Sequence, residues 1–87
     1  MENNVEQIIA QNLIDLRKQR NLKQSDLSDA IGYSDKTISR WENGTSVPDV
    51  STLIKLAKFY NTSVDYLLGI TDESTPYAKS TRISTNE

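Results

Sequence analysis

The side chains best suited to contacting another molecule are close together in the middle of the chain. At about 100° per helical residue, Lys36, Arg40 and Asn43 fall within roughly 60° of one another, and Thr37 and Asp35 flank that stripe on opposite sides. In a DNA major groove, lysine or arginine can pair with guanine O6 and N7, and threonine can hydrogen-bond or contact a thymine methyl. A solvated helix face is the alternative, since cations four residues apart are common on helices.

Composition removes most catalytic chemistry from consideration. The 87 residues include neither cysteine nor histidine, so disulfides, thiolate chemistry and the commonest metal sites are excluded. No glycine-rich phosphate-binding loop is present either. We therefore expect no enzyme activity, no cofactor and no metal site.

The net charge of −2 opposes binding to nucleic acid, because phosphate contacts favour a basic surface. A specific binder can still concentrate its few cations on one face, and total charge does not report their placement. The sequence has no apolar run long enough to span a bilayer, and residues 1–4 lack the pattern of a signal peptide. We expect a cytoplasmic protein with no membrane partner.

Five helices are predicted to position the polar stripe. The first begins near Val5, carries apolar residues at spacings of three and four, and ends near Arg20 and Asn21. The others are predicted at Gln24–Ile31, Asp35–Glu42, Val50–Tyr60 and Val64–Leu68. The predicted inward-facing residues of the second and fourth helices are Leu27, Ala30, Ile31, Leu53, Ile54, Leu56, Ala57 and Tyr60.

Polar residues at the helix boundaries support these assignments. Ser34 and Asp49 are suited to cap the third and fourth helices, and Thr62 or Ser63 the fifth. Thr62, with Asp65 three residues later, is close to a capping box. Residues 71–87 are rich in serine and threonine and nearly free of large apolar residues, so residues 1–70 are predicted as one domain and 71–87 as a flexible polar tail or linker.

The second and third helices are separated only by residues 32–34. Gly32 can take the left-handed conformation that ends a helix, and a link this short forces the two helices to cross steeply. A shared apolar seam is available from Leu27, Ile31, Ile38 and Trp41. The spacing of Trp41 from Ile38 favours core packing for the indole over base stacking. This arrangement is the sequence pattern of a helix-turn-helix.

The segment LKQSDLSDAIGYSDKTISRWENG, residues 22–44, resembles the lambda-repressor-like, Cro-type helix-turn-helix domains of phage repressors and bacterial regulators. The resemblance extends from about Ile8 to Gly69 and includes the closing segment SVDYLLG, residues 63–69. It implies an all-α, compact five-helix domain with the helix-turn-helix at helices 2 and 3. Tyr33 and Ser28 depart from the family, which usually has a smaller apolar residue at position 33 and prefers alanine at position 28. Tyr33 is either half-buried packing or a contact to the DNA backbone.

The resemblance also implies which residues contact DNA. The base-reading residues would be Asp35, Lys36, Thr37 and Arg40, and the phosphate-contacting residues Lys23, Gln24, Ser34 and Asn43. Gln24 would also brace the recognition helix. Asp35 has two interpretations, because a carboxylate stabilises a helix N-terminus but can also accept a hydrogen bond from cytosine N4.

We therefore predict a sequence-specific double-stranded-DNA-binding transcriptional regulator, most simply a repressor that occupies an operator. One recognition helix reads few base pairs, so a homodimer on a palindromic operator is expected. The predicted dimer contact is the fifth helix with Tyr66, Leu67 and Ile70, or a domain beyond Glu87. The alternative is an antitoxin or co-regulator that uses the same fold as a protein-interaction module, with a protein partner or an antirepressor.

Overall fold

The computed structural model describes residues 4–76, which form five α-helices and no β-strand. The helices are α1 (Val5–Gln19), α2 (Gln24–Ile31), α3 (Asp35–Glu42), α4 (Val50–Phe59) and α5 (Val64–Leu67). The predicted all-α fold is confirmed, and so are the bounds of α2 and α3. Helices α4 and α5 each end one residue earlier than predicted. Most of the predicted tail, residues 77–87, lies outside the described residues.

Short-range hydrogen bonds fix where the helices begin. Side-chain oxygens accept the backbone N–H three residues later at the start of α3, α4 and α5, from Ser34 (3.1 Å to Thr37), Asp49 (2.9 Å to Thr52) and Ser63 (3.0 Å to Tyr66). The capping box expected from Thr62 and Asp65 was wrong. Ser63 caps α5 instead, and the Thr62 hydroxyl donates to the Ser74 carbonyl at 2.5 Å.

The core is one apolar cluster in which all five helices take part. Its buried members are Ile9, Leu13, Leu16, Leu27, Ile31, Ile38, Trp41, Leu53, Leu56, Ala57, Tyr60 and Leu67. Two residues predicted to face inward do not. Ala30 is exposed because α2 buries only the narrow stripe of Leu27 and Ile31. Ile54 is 44% exposed, since it lies about 100° around α4 from Leu53, outside the buried stripe.

Helix α5 is hydrogen-bonded to α1. The Asn12 amide donates to the carbonyls of Tyr66 (3.0 Å) and Leu67 (3.2 Å) at the C-terminal end of α5. Gly69 follows with φ of +78°, and a Cβ at this position would lie 2.6 Å from the Ile8 Cγ2 atom. Both the backbone conformation and the close approach therefore favour glycine here. None of the helices within residues 4–76 is long and apolar enough to cross a membrane.

Tyr33 joins the turn between α2 and α3 to α4. Its ring is half-buried and lies 5.2 Å from the ring of Trp41, centroid to centroid. Its hydroxyl lies 2.6 Å from the Thr52 hydroxyl, and the Lys55 ammonium lies 5.5 Å from the centre of the Tyr33 ring. Of the two interpretations of Tyr33, these contacts support half-buried packing.

Tyr60 buries a phenol hydroxyl that has no hydrogen-bond partner among the described residues. The side chain is 3% exposed, and burial raises its pKa to about 12. The folded protein therefore favours the neutral phenol more than the unfolded chain does, whose tyrosine pKa is about 10. The contribution of Tyr60 to stability is complete below about pH 10 and is lost as the pH rises towards about 12.

Replacing Tyr60 with phenylalanine is expected to leave stability unchanged, or to raise it by up to about 1 kcal/mol, at neutral pH, because an unpaired hydroxyl leaves the core. The variant should also lose less stability than the wild type between about pH 10 and 12. Urea unfolding at pH 7, 10 and 11 measures both effects, with Tyr66→Phe as a control on a half-buried tyrosine. Equal alkaline losses in the wild type and Tyr60→Phe would refute this role of the phenol.

Candidate nucleic-acid interface

Helix α3 has one side in the core and one side in solvent. Its inner side buries Ile38, Trp41 and Glu42, which confirms the core position predicted for Trp41. On its outer side Asp35, Lys36 and Arg40 are exposed. The outer side therefore contributes charged groups that the packing of the domain does not use.

A buried ion pair fixes the inner side of α3 against α1. The Arg17 guanidinium bonds both carboxylate oxygens of Glu42, Nε to Oε2 at 2.7 Å and Nη2 to Oε1 at 2.9 Å. The third donor, Nη1, bonds the Leu22 carbonyl at 2.7 Å. The hydrogen bond to Glu42 raises the pKa of Arg17 above its ordinary value. Two-point pairing of this kind fixes orientation as well as distance.

Sequence reasoning did not identify Arg17 or Glu42. A usable signal was present, since Glu42 lies four residues after Ile38 and thus on the buried side of α3. A carboxylate in that position requires a cationic or hydrogen-bonding partner, because an isolated buried charge is very costly. The periodicity of α3 could therefore have indicated a buried ion pair, although not which cation completes it.

Gln24 connects the beginning of α2 to the end of α3. Its side-chain Nε2 donates to Glu42 Oε1 at 3.0 Å, so this carboxylate oxygen accepts from both Gln24 and Arg17. The bracing role that the resemblance implied for Gln24 is consistent with this bond. One Nε2 hydrogen and the Oε1 atom of the amide stay available to another molecule.

The side chains of the predicted base-reading residues differ in whether they already have a partner within the protein. Among residues 4–76 the structure contains one salt bridge, Arg17–Glu42, so Asp35, Lys36 and Arg40 have no charged side-chain partner. Thr37 is half-buried, and its hydroxyl lies 2.9 Å from the Ser34 hydroxyl. Because that hydroxyl is already hydrogen-bonded, the Thr37 methyl is the less committed part of the side chain.

The predicted phosphate-contacting residues lie at the ends of α2 and α3. Lys23 precedes α2 with an exposed side chain, while its backbone N–H donates to Asp26 Oδ2 at 2.8 Å. Ser34 precedes α3, and its hydroxyl caps that helix. Asn43 ends α3, and its Oδ1 accepts from the Thr45 N–H at 2.9 Å and from the Thr45 hydroxyl. The Asn43 side chain therefore has its NH₂ group left to donate.

The predicted dimer contact needs one correction. Leu67 is 0% exposed and belongs to the core, because α5 turns this residue towards the other helices, so it cannot contribute to a surface. Ile70 is exposed and Tyr66 is half-buried. These two residues are what remains of that predicted surface.

Comparison with known proteins agrees with this architecture. The Helix-turn-helix family model matches residues 13–67. The chain is 36% identical over 66 residues to the uncharacterized HTH-type transcriptional regulator YobD of Bacillus subtilis (strain 168), covering 76% of this chain and 59% of YobD. It is 39% identical over 54 residues to the cryptic phage CTXphi transcriptional repressor RstR of Vibrio cholerae, covering 62% of this chain and 49% of RstR.

The fold is also similar to the crystal structure of a transcriptional regulator from Listeria innocua. The TM-score is 0.67 at 26% identity, over 87% of this chain and 64% of the other. The chain spans about half the length of the curated relatives it matches. The family match includes α2, the turn and α3 with its polar outer side, and it also includes Arg17 of α1, which pairs with Glu42 of α3. This chain belongs to the lambda-repressor-like helix-turn-helix family, which includes bacterial and phage transcriptional regulators.

Proposed function

We propose that this protein is a sequence-specific double-stranded-DNA-binding regulator of transcription that acts in the cytoplasm as a repressor and has no enzymatic activity. The observation that carries the proposal is the outer side of α3. Asp35, Lys36 and Arg40 are exposed there without salt-bridge partners among residues 4–76, while the inner side is fixed by the core and by the Arg17–Glu42 pair. An α-helix with a rigid inner side and free polar groups outside fits a DNA major groove.

In this proposal α3 enters the major groove and its outer side reads base edges. Lys36 and Arg40 would donate to guanine O6 and N7, and Thr37 would contact a thymine through its methyl. Phosphate contacts would come from Lys23, Gln24, Ser34 and Asn43, joined by free backbone N–H groups at the start of α3. Such phosphate contacts set the register of α3 but carry no sequence information.

We further propose that two copies bind together. An eight-residue helix presents base-reading groups over only a few base pairs, which is too little for a unique operator. A two-fold pair on a palindromic site doubles the sequence that is read, with half-sites about one helical turn apart. The relative RstR is named a transcriptional repressor, which supports operator occupancy as the mode of action.

The test is selection of bound DNA from a pool of random duplexes. We expect enrichment of a palindromic motif, with affinity for it falling steeply as salt rises, because phosphate contacts release counterions. Recovery of random sequence would contradict the proposal. A flat salt response of a bound duplex would show that the proposed phosphate contacts are not made.

A role as a protein-interaction module, in an antitoxin or co-regulator, is the second candidate. Val50 and Ile54 lie one turn apart on α4 and are 72% and 44% exposed, and Val47 is exposed just before them. These apolar residues, with the acidic net charge, would suit a protein partner. This candidate predicts that the DNA selection enriches no motif.

A further inference from the structure

We propose that Asp35 is a specificity-determining residue that selects an exocyclic amino group, cytosine N4 or adenine N6, at its position in each half-site. The inference rests on the proposed function and deepens it, since it assigns a base chemistry to one side chain. It also explains why a negatively charged side chain can occupy the first position of α3, the helix proposed to approach DNA.

No contact within the fold explains why position 35 carries a carboxylate. It is the first residue of α3, but the Ser34 hydroxyl already caps that helix by accepting the Thr37 N–H at 3.1 Å. The Asp35 side chain is exposed, and no hydrogen bond or ion pair holds it within residues 4–76.

Three carboxylates elsewhere, on α2, on α3 and at the start of α4, are used in the fold. Asp26 accepts the Lys23 backbone N–H at 2.8 Å, Asp49 caps α4, and Glu42 pairs with Arg17. Asp35 therefore differs from these three by being free on the outer side of α3. A weak favourable interaction with the helix dipole is the one benefit that the isolated domain draws from it.

Bringing this carboxylate to DNA costs free energy, and that cost determines which base group must lie opposite Asp35. In the groove it would lose water while acquiring negative neighbours, and neither Lys36 nor Arg40 pairs with it. Guanine and thymine present acceptors on their major-groove edges, so they leave the carboxylate unpaired. Cytosine N4 and adenine N6 are the donors available there. Asp35 would thus favour an amino-bearing base and reject the two others.

The first experiment repeats the DNA selection with Asp35→Asn and Asp35→Ala beside the wild type. We expect one position per half-site, restricted to cytosine or adenine in the wild type, to lose its preference by about 5-fold or more in Asp35→Ala. In Asp35→Asn the same position should accept guanine or thymine as well, because the amide donates as well as accepts, and the other positions should not change in either variant. Asp29→Asn is the matched control, an exposed and unbonded aspartate on α2, and should keep the wild-type motif. All three variants should melt close to the wild-type temperature, because neither side chain is bonded.

The second experiment removes the amino group from the DNA. In the wild-type motif, 2-pyrimidinone replaces cytosine, or unsubstituted purine replaces adenine, at the identified position. The wild type should lose about 5-fold or more in affinity and Asp35→Ala less than 2-fold, which identifies both the contact and its base. Equal losses for the two proteins would overturn the contact.

The outcomes separate this inference from the proposed function. If Asp35→Asn and Asp35→Ala select the wild-type motif at every position, the role of Asp35 is refuted and the DNA-binding function stands. If the wild type enriches no motif, the proposed function fails and this inference fails with it.

Discussion

Replacing both Lys36 and Arg40 with alanine is expected to abolish specific operator binding, with a loss of about 100-fold or more in affinity. A good bidentate contact to a base contributes about 1–3 kcal/mol of discrimination, and a two-fold complex would lose each contact twice. Both side chains are exposed and make no salt bridge in the described part of the chain, so the fold should not depend on them. Titration of labelled operator DNA measures the loss, and circular dichroism with thermal melting should change little.

The matched control for this double variant is Lys18→Ala with Lys58→Ala. These lysines are exposed on α1 and α4 rather than on α3, and their removal changes net charge by the same amount. The control should lower affinity only slightly and mainly at low salt, because distant charges act through the screened field. Operator affinity retained by Lys36→Ala with Arg40→Ala would show that α3 does not read DNA with this side.

Glu42→Ala is expected to destabilise the domain by about 3–5 kcal/mol, because it leaves a largely buried guanidinium without its carboxylate. The side chains of Arg17 and Glu42 are only 14% and 6% exposed, so water cannot replace the lost bonds easily. The Gln24 amide loses the same acceptor. A domain of this size has a free energy of unfolding of only a few kcal/mol, so Glu42→Ala should be partly unfolded at 25 °C even without denaturant. A urea titration measures that unfolded fraction.

The comparison that isolates the unpaired charge is the double variant Arg17→Met with Glu42→Leu. Apolar residues of similar volume often replace a buried ion pair at little cost, so this variant should be clearly more stable than Glu42→Ala. A loss below about 1 kcal/mol for Glu42→Ala would mean that the ion pair contributes little to holding α3.

Local sequence signals were enough to predict most of the fold. The bounds of α2 and α3 were correct because Gly32 and Ser34 act on their immediate neighbours, through a left-handed residue and a hydroxyl cap. The errors at Ala30 and Ile54 concern which side of a helix is covered. That depends on the crossing of neighbouring helices, which periodicity alone does not specify.

For the candidate site too, the sequence was enough to predict some features and not others. The free outer side of α3 followed from the spacing of Lys36 and Arg40, which helix geometry fixes. The ion pair that holds the inner side joins residues 25 positions apart, and the choice of Arg17 over other cations needs the packed structure. The bond between the hydroxyls of Ser34 and Thr37 likewise requires side-chain positions.

On α3, the residues that stabilise the fold are different from the residues proposed to contact DNA. This separation affects how such proteins can diversify. Capping, packing and ion pairing occupy the side chains of Ser34, Ile38, Trp41 and Glu42, whereas the side chains of Asp35, Lys36 and Arg40 make no hydrogen bond or salt bridge within residues 4–76. Under the proposed function, single substitutions at these three positions would change the bound sequence while every intermediate still folds. Thr37 is the exception, because its hydroxyl bonds the capping hydroxyl of Ser34 and a change there would affect folding as well as the proposed reading of bases. A gene duplication of this domain could thus yield two regulators with separate operators in a few mutational steps, each of them a stable protein.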